Sequence, residues 1–182
     1  MSREIDPTQP AVLTVGSIHG GTKHNIIPEE VQLQLTLRAY REDVRDQLID
    51  GIKRRVNGLA QAHRAPAPSV EVREGTPATI NTPGLVNRIV PALARTLGES
   101  NVKEVGPVMG AEDFGLFGRG GVPTFMFRLG TIPPRRIEEA RAKGEALPSL
   151  HSAQYQPDPA PSIETGLRAM TAAVRELLPP RP

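Results

Sequence analysis

The sequence predicts two unlike parts, an α+β half with an antiparallel sheet and a helix, and a second half that belongs to an α/β layer fold. Three observations carry that division. Residues 31–38, Val-Gln-Leu-Gln-Leu-Thr-Leu-Arg, alternate strictly, which puts Val31, Leu33, Leu35 and Leu37 on one sheet face. From Glu42 to Leu59 the spacing becomes helical, with Val44, Leu48, Ile52, Val56 and Leu59 on one stripe. The stretch 75–83 then drops all periodicity in a run of Gly, Thr, Asn and Pro, and marks a boundary.

Taken in order, residues 11–18 are β-branched enough for a first strand. The link to the second strand carries Gly20, Gly21, Asn25 and Pro28 and is too long for a tight hairpin. On the second strand Arg38 shares the polar face with Gln32, Gln34 and Thr36. After the helix, a Pro-containing turn at 65–68 leads to Ser-Val-Glu-Val-Arg at 69–73, another alternating strand, so the half reads β-β-α-β. A one-faced antiparallel sheet with a helix on its apolar side fits that order.

Beyond the boundary, Thr82 and Pro83 form an N-cap and first-position pair, and Leu85, Ile89, Leu93 and Leu97 follow on one helix face before Gly98. Strands are predicted near 102–105 and at 122–129, the second nearly continuously apolar, as expected of a strand covered on both faces. Residues 131–149 read as irregular. A last helix starting near Asp158 is expected to bury Ile163, Leu167, Met170, Val174 and Leu177. Two helices and two or three strands cannot cover both faces of a parallel sheet, so this half reads as part of a larger layer fold.

Composition narrows the function classes. The chain has 182 residues and a formal net charge of +2, too small to argue for nucleic acid or an anionic membrane as partner. Aromatic residues make up 3% and Trp is absent, which leaves few stacking platforms for bases. Without Cys, any metal must be held by His and carboxylates. The first ten residues lack the basic-then-apolar pattern of a signal peptide, and no stretch reaches the roughly 20 apolar residues of a membrane span. The compartment is unreadable.

Four groups of residues could carry chemistry. His151, in Leu150-His151-Ser152 before the last helix, reads either as an exposed loop histidine or as a metal ligand or general base. Met109-Gly110-Ala111-Glu112-Asp113-Phe114 places two adjacent carboxylates on a turn, either as a cap with a solvated neighbour or with one of them lining a cleft. Gly20-Gly21-Thr22-Lys23-His24-Asn25 lacks the spacing of a phosphate-binding loop and the helix that would supply its donors. Asn25 and Arg38 pair an amide with a fork-shaped cation that could grip a carboxylate, against a plain turn Asn and a solvated strand Arg. His19, His24 and His63 complete the histidines, with His63 at a helix end where solvent or the helix dipole suffices.

The string Gly20 to Pro28, followed by the strand ending in Arg38, resembles the lid-domain signature of the co-catalytic zinc peptidases and amidohydrolases. It is most similar to the hippurate hydrolase, N-acyl amino acid and auxin-conjugate amidohydrolase branch. Met109 to Phe114 resembles that branch's catalytic-domain turn, and Leu150-His151-Ser152 with Pro157-Asp158 resembles its last metal-ligand segment.

The resemblance implies an incomplete α+β lid over residues 1–76, followed by the C-terminal part of an α/β metallopeptidase-like catalytic domain over 77–182. It also implies a homodimer formed through the lid, with the lid of one subunit reaching into the other's site. Two divalent ions, zinc, manganese, cobalt or nickel, would serve hydrolysis of a small-molecule amide. Asn25 and Arg38 would bind the substrate's carboxylate or the developing oxyanion, His151 would hold one metal, and Glu112 would sit near the site. Family members are more than twice this length, and the His-x-Asp ligand motif, the paired Glu with the base and the lid's trans-acting His are not in this chain. The expectation is therefore an enzyme portion inactive alone, or a non-catalytic dimerisation module derived from such an enzyme, with neither nucleic acid nor membrane as partner.

Overall fold

A computed structural model describes residues 3–178. The described residues form two compact units, one reaching to Thr79 together with Pro107–Leu116, the other comprising Ile80–Gly106 and the residues from Phe117 onward.

In the first unit, β1 (Ala11–Gly20) and β2 (Val31–Ala39) pair antiparallel. The register pairs Leu13 with Leu37 and Val15 with Leu35, then shifts between Val15 and Ser17, so that Ile18 pairs with Leu33. One extra residue in β1 flips the side-chain phase. Leu13, Val15 and Ile18 consequently share the apolar face of β2 although their spacing in sequence is uneven, and Ser17 meets Gln34 on the polar face with a 2.8 Å hydrogen bond.

Helix α1 (Glu42–Ala62) covers one end of that apolar face. Val44 and Leu48 are buried with Ile5, and Ala11, Leu37 and Ala39 pack against them. Burial fades along the helix as its stripe runs past the sheet, and Leu59 is exposed. His63 is the residue that ends α1. The N-terminal segment is strapped to α1. Glu4 accepts hydrogen bonds from Arg54 and, at 2.7 Å, from Arg55, and Gln47 donates to the Glu4 carbonyl at 2.5 Å.

The expected strand at 69–73 does not form; residues 65–82 contain no helix or strand. A strand needs a neighbour to receive its N–H and C=O groups. Among the described residues the sheet of this unit has two strands, and Val72 stands exposed.

In the second unit, α2 (Pro83–Leu97) and α5 (Pro159–Leu177) pack together. Ile89 and Leu93 meet Ala169 and Ala173, with Phe125 and Phe127 packed against the cluster. Gly98 closes α2 at φ 93°, a conformation that only glycine adopts without strain. The expected burial on α5 holds only at Leu177, which packs half-buried against the cluster; Ile163, Leu167, Met170 and Val174 are exposed, and the small side chains Ala169 and Ala173 form the buried face. Two helices approach most closely where their side chains are small, so the alanine side wins the contact.

Three further corrections concern this unit and the turn before it. The strands expected at 102–105 and 122–129 do not form, and no strand lies beside them among the described residues. Side chains do part of a neighbour's work on the second: Asn81 donates to the Met126 carbonyl and accepts from its N–H, and Thr82 Oγ1 accepts from Thr124 N–H. Thr82 is thus the residue before α2, but its hydroxyl serves residue 124 instead of capping the helix. The stretch expected to be irregular contains α4 (Pro134–Lys143), ended by Gly144 in the left-handed conformation, while a short α3 (Gly115–Arg119) sits in the glycine-rich run.

Candidate functional site

Arg38 lies near the end of β2, opposite Val12 and exposed on the polar face. Its Nη1 donates to the Met109 carbonyl oxygen at 2.8 Å. Nε and Nη2 have no partner among the described residues. The guanidinium therefore keeps one edge with two parallel donors, the geometry that receives a carboxylate.

The turn it touches is fixed by its own contacts. Glu112 Oε1 accepts from the N–H groups of Asp113 and Phe114, at 2.9 and 3.3 Å. Gly115 is buried against the backbone of Pro77 and Ala78, where a Cβ would stand 2.9 Å from the Pro77 carbonyl and 3.0 Å from that of Ala78. No other residue fits there without moving the main chain. Glu112 is exposed, and one of its carboxylate oxygens bonds the two N–H groups that follow it in the turn.

Asn25 sits elsewhere on the hairpin. It lies in the exposed loop between Gly20 and Val31, which are paired at the far end of the sheet from Arg38. From Val31 to Arg38 the strand runs seven residues, about 23 Å at ~3.3 Å per residue. The register does not bring the amide and the guanidinium together.

His151 belongs to the second unit, exposed on a turn stabilised by Ser152 N–H donating to the Ser149 carbonyl. A catalytic metal needs about three protein ligands. No group of three or more His, Asp and Glu that could hold a metal exists among the described residues. The residues present do not fit a metal centre, and His151 alone does not make one. The feature that sequence reasoning missed is the Met109 carbonyl, because a main-chain acceptor has no side-chain signature.

Two strands, a covering helix and an exposed arginine tied to a carboxylate-bearing turn are the geometry that known proteins can now be set beside. Residues 3–64 match the peptidase dimerisation domain family. Thermostable carboxypeptidase 1 of Saccharolobus solfataricus is 35% identical over 71% of this chain and 32% of its own length. N-acetyldiaminopimelate deacetylase of Bacillus licheniformis is 30% identical over 94% of this chain and 41% of its own. A crystal structure described as an aminohydrolase from methicillin-resistant Staphylococcus aureus shares the fold, with a TM-score of 0.72 over 95% of this chain and 40% of that one, at 22% identity. The chain belongs to the peptidase and amidohydrolase family that carries this dimerisation domain. It spans from 32% to 41% of the length of these two relatives. No helix among the described residues is long and apolar enough to cross a membrane.

Proposed function

We propose that this chain is the lid and C-terminal part of a metal-dependent amidohydrolase acting on N-acyl amino acids or related amides, and that it is inactive by itself. The observation that carries the reading is Arg38, exposed, held by one nitrogen and open along its Nε–Nη2 edge. An N-acyl amino acid offers that edge a carboxylate one bond from the carbon that carries its amide. The deacetylase and carboxypeptidase relatives are named for reactions on amides of amino acids.

In this reading the chain's share of the work is recognition. Arg38 binds the substrate carboxylate and orients the amide. Asn25, at the other end of the hairpin, binds the carboxylate or oxyanion in a different site, that of the second subunit of a homodimer joined through the lid. His151 would supply one ligand of a metal pair, and the other ligands and the general base would have to come from residues outside these 182. The metal is zinc, manganese, cobalt or nickel.

The shortage of metal donors favours a second reading, a dimerisation module without chemistry. One experiment separates them. The purified chain is titrated calorimetrically with an N-acetyl amino acid and assayed for acetate release with each of the four metals. The amidohydrolase reading expects millimolar binding lost in Arg38→Ala, no turnover by the chain alone, and a dimer in sedimentation. Dimerisation without any binding leaves the module; turnover by the chain alone overturns the claim of inactivity.

A further inference from the structure

We infer that the Met109 carbonyl and Arg38 form a positioning pair: the carbonyl fixes the guanidinium so that its Nε–Nη2 edge is presented to a substrate carboxylate, and the guanidinium in turn steadies the turn that carries Glu112. The inference rests on Arg38 being the carboxylate-binding residue, and it adds how that residue is held and what else it holds.

An arginine on a solvated strand face samples many rotamers, and a grip that must be ordered on binding is weaker than one ordered beforehand. Arg38 has no neighbouring carboxylate to order it among the described residues; its one partner is a main-chain oxygen 71 positions away in sequence. Because the guanidinium is planar and rigid, holding Nη1 2.8 Å from that oxygen narrows the orientations open to the Nε–Nη2 edge. The acceptor is itself well held. Met109 is half-buried, and Gly115, six residues on, is seated on the backbone of Pro77 and Ala78 with no room for a side chain. Between them Glu112 closes the turn through the Asp113 and Phe114 N–H groups.

The link therefore runs both ways. A carboxylate on the free edge immobilises the guanidinium further and strengthens its hold on Met109, so occupancy at Arg38 is felt at Glu112. Lysine in place of Arg38 can donate to the same carbonyl but has no second edge fixed by that bond. Ligands that carry an amide or ester where the carboxylate should be leave the pair unaffected.

The test is hydrogen exchange of the whole chain over residues 109–114, with an N-acetyl amino acid and its primary amide as probes, together with the NMR signal of the Arg38 Nε–H. Arg38→Ala is expected to speed exchange over the turn by about threefold to tenfold, the loss of roughly one net hydrogen bond. Arg38→Lys restores part of that protection. In the unsubstituted chain the N-acetyl amino acid shifts the Nε–H signal and slows exchange over the turn, its amide does neither, and in the lysine variant the turn does not respond. Exchange in Arg38→Ala within about twofold of the unsubstituted chain would overturn the pair while leaving the amidohydrolase reading intact. A turn that loosens in Arg38→Ala while Arg38 ignores the carboxylate overturns the presentation of the free edge and, separately, the assignment of Arg38 to the substrate.

Discussion

Helices α1 and α5 carry the same kind of apolar stripe and treat it in opposite ways. On α1 the stripe begins with Val44 and Leu48, and both are buried under the sheet's apolar face. On α5 the stripe of Ile163, Leu167, Met170 and Val174 stays exposed, Leu167 at 64%, while Ala169 at 1% and Ala173 at 8% make the contact with α2. Periodicity identifies a face that gains from burial. Which face is buried depends on what lies opposite, and on α5 the facing helix meets the small side chains. An amphipathic stripe is thus evidence of a helix, and only conditional evidence of a core.

The sharpest way to break this comparison is to open both cores. Leu93→Ala, in the α2–α5 cluster with Phe125 and Phe127 beside it, is expected to cost about 3 kcal/mol. Leu48→Ala, in a thinner cluster that solvent reaches from the uncovered end of the sheet, is expected to cost about 2 kcal/mol. Because the chain has two compact units, each loss is read by denaturant-dependent hydrogen exchange within its own unit. A larger loss at Leu48 than at Leu93 would show that the sheet and α1 form the better-packed core.

A smaller effect tests what holds the N-terminal segment to α1. The hydrogen bonds from Arg55 first, and then Arg54, lower the Glu4 pKa from its ordinary 4.5 to about 2. A carboxylate whose folded pKa is depressed stabilises fully above its unfolded value and loses that contribution as pH falls toward the folded one. The unsubstituted chain should therefore melt above Glu4→Gln at pH 7, and the gap should close between pH 4.5 and about 2. A gap independent of pH in that window would mean that the strap is held by Ile5 and Gln47 instead.

Much of the first unit was legible because its signals are local. Strict alternation placed β2, and the helical spacing placed α1 with both of its buried anchors. The bulge in β1 was hidden, since uneven spacing of Leu13, Val15 and Ile18 makes sense only against the register of β2. The strand at 69–73 was legible as alternation and those at 102–105 and 122–129 as apolar stretches, yet a strand is defined by its neighbour, and none is present among the described residues. Helix α4 escaped notice because its sequence, Pro-Arg-Arg-Ile-Glu-Glu-Ala-Arg-Ala-Lys, has too few apolar residues to show a stripe, although its first-position Pro and terminal Gly144 were signals of a helix. At the site, Arg38 and Glu112 stood out as side chains. The carbonyl that joins them, and the hairpin that separates Asn25 from Arg38, belong to the fold and have no residue code.

The smallest expected effect returns to α5, where two substitutions two positions apart should differ in kind. Leu167→Ser removes a large apolar side chain from a face that water already reaches, so little transfer free energy is lost and stability should change by no more than about 0.5 kcal/mol. Ala169→Leu adds apolar volume, which a stripe-based reading would score as an improvement, yet it must fit where Ile89 and Leu93 meet the helix, and should cost about 1–3 kcal/mol through overpacking. Thermal melts of the two variants at one protein concentration decide the matter. If Leu167→Ser destabilises more than Ala169→Leu, the helix in solution is turned so that its large stripe forms the contact, and the alanine face is the exposed one.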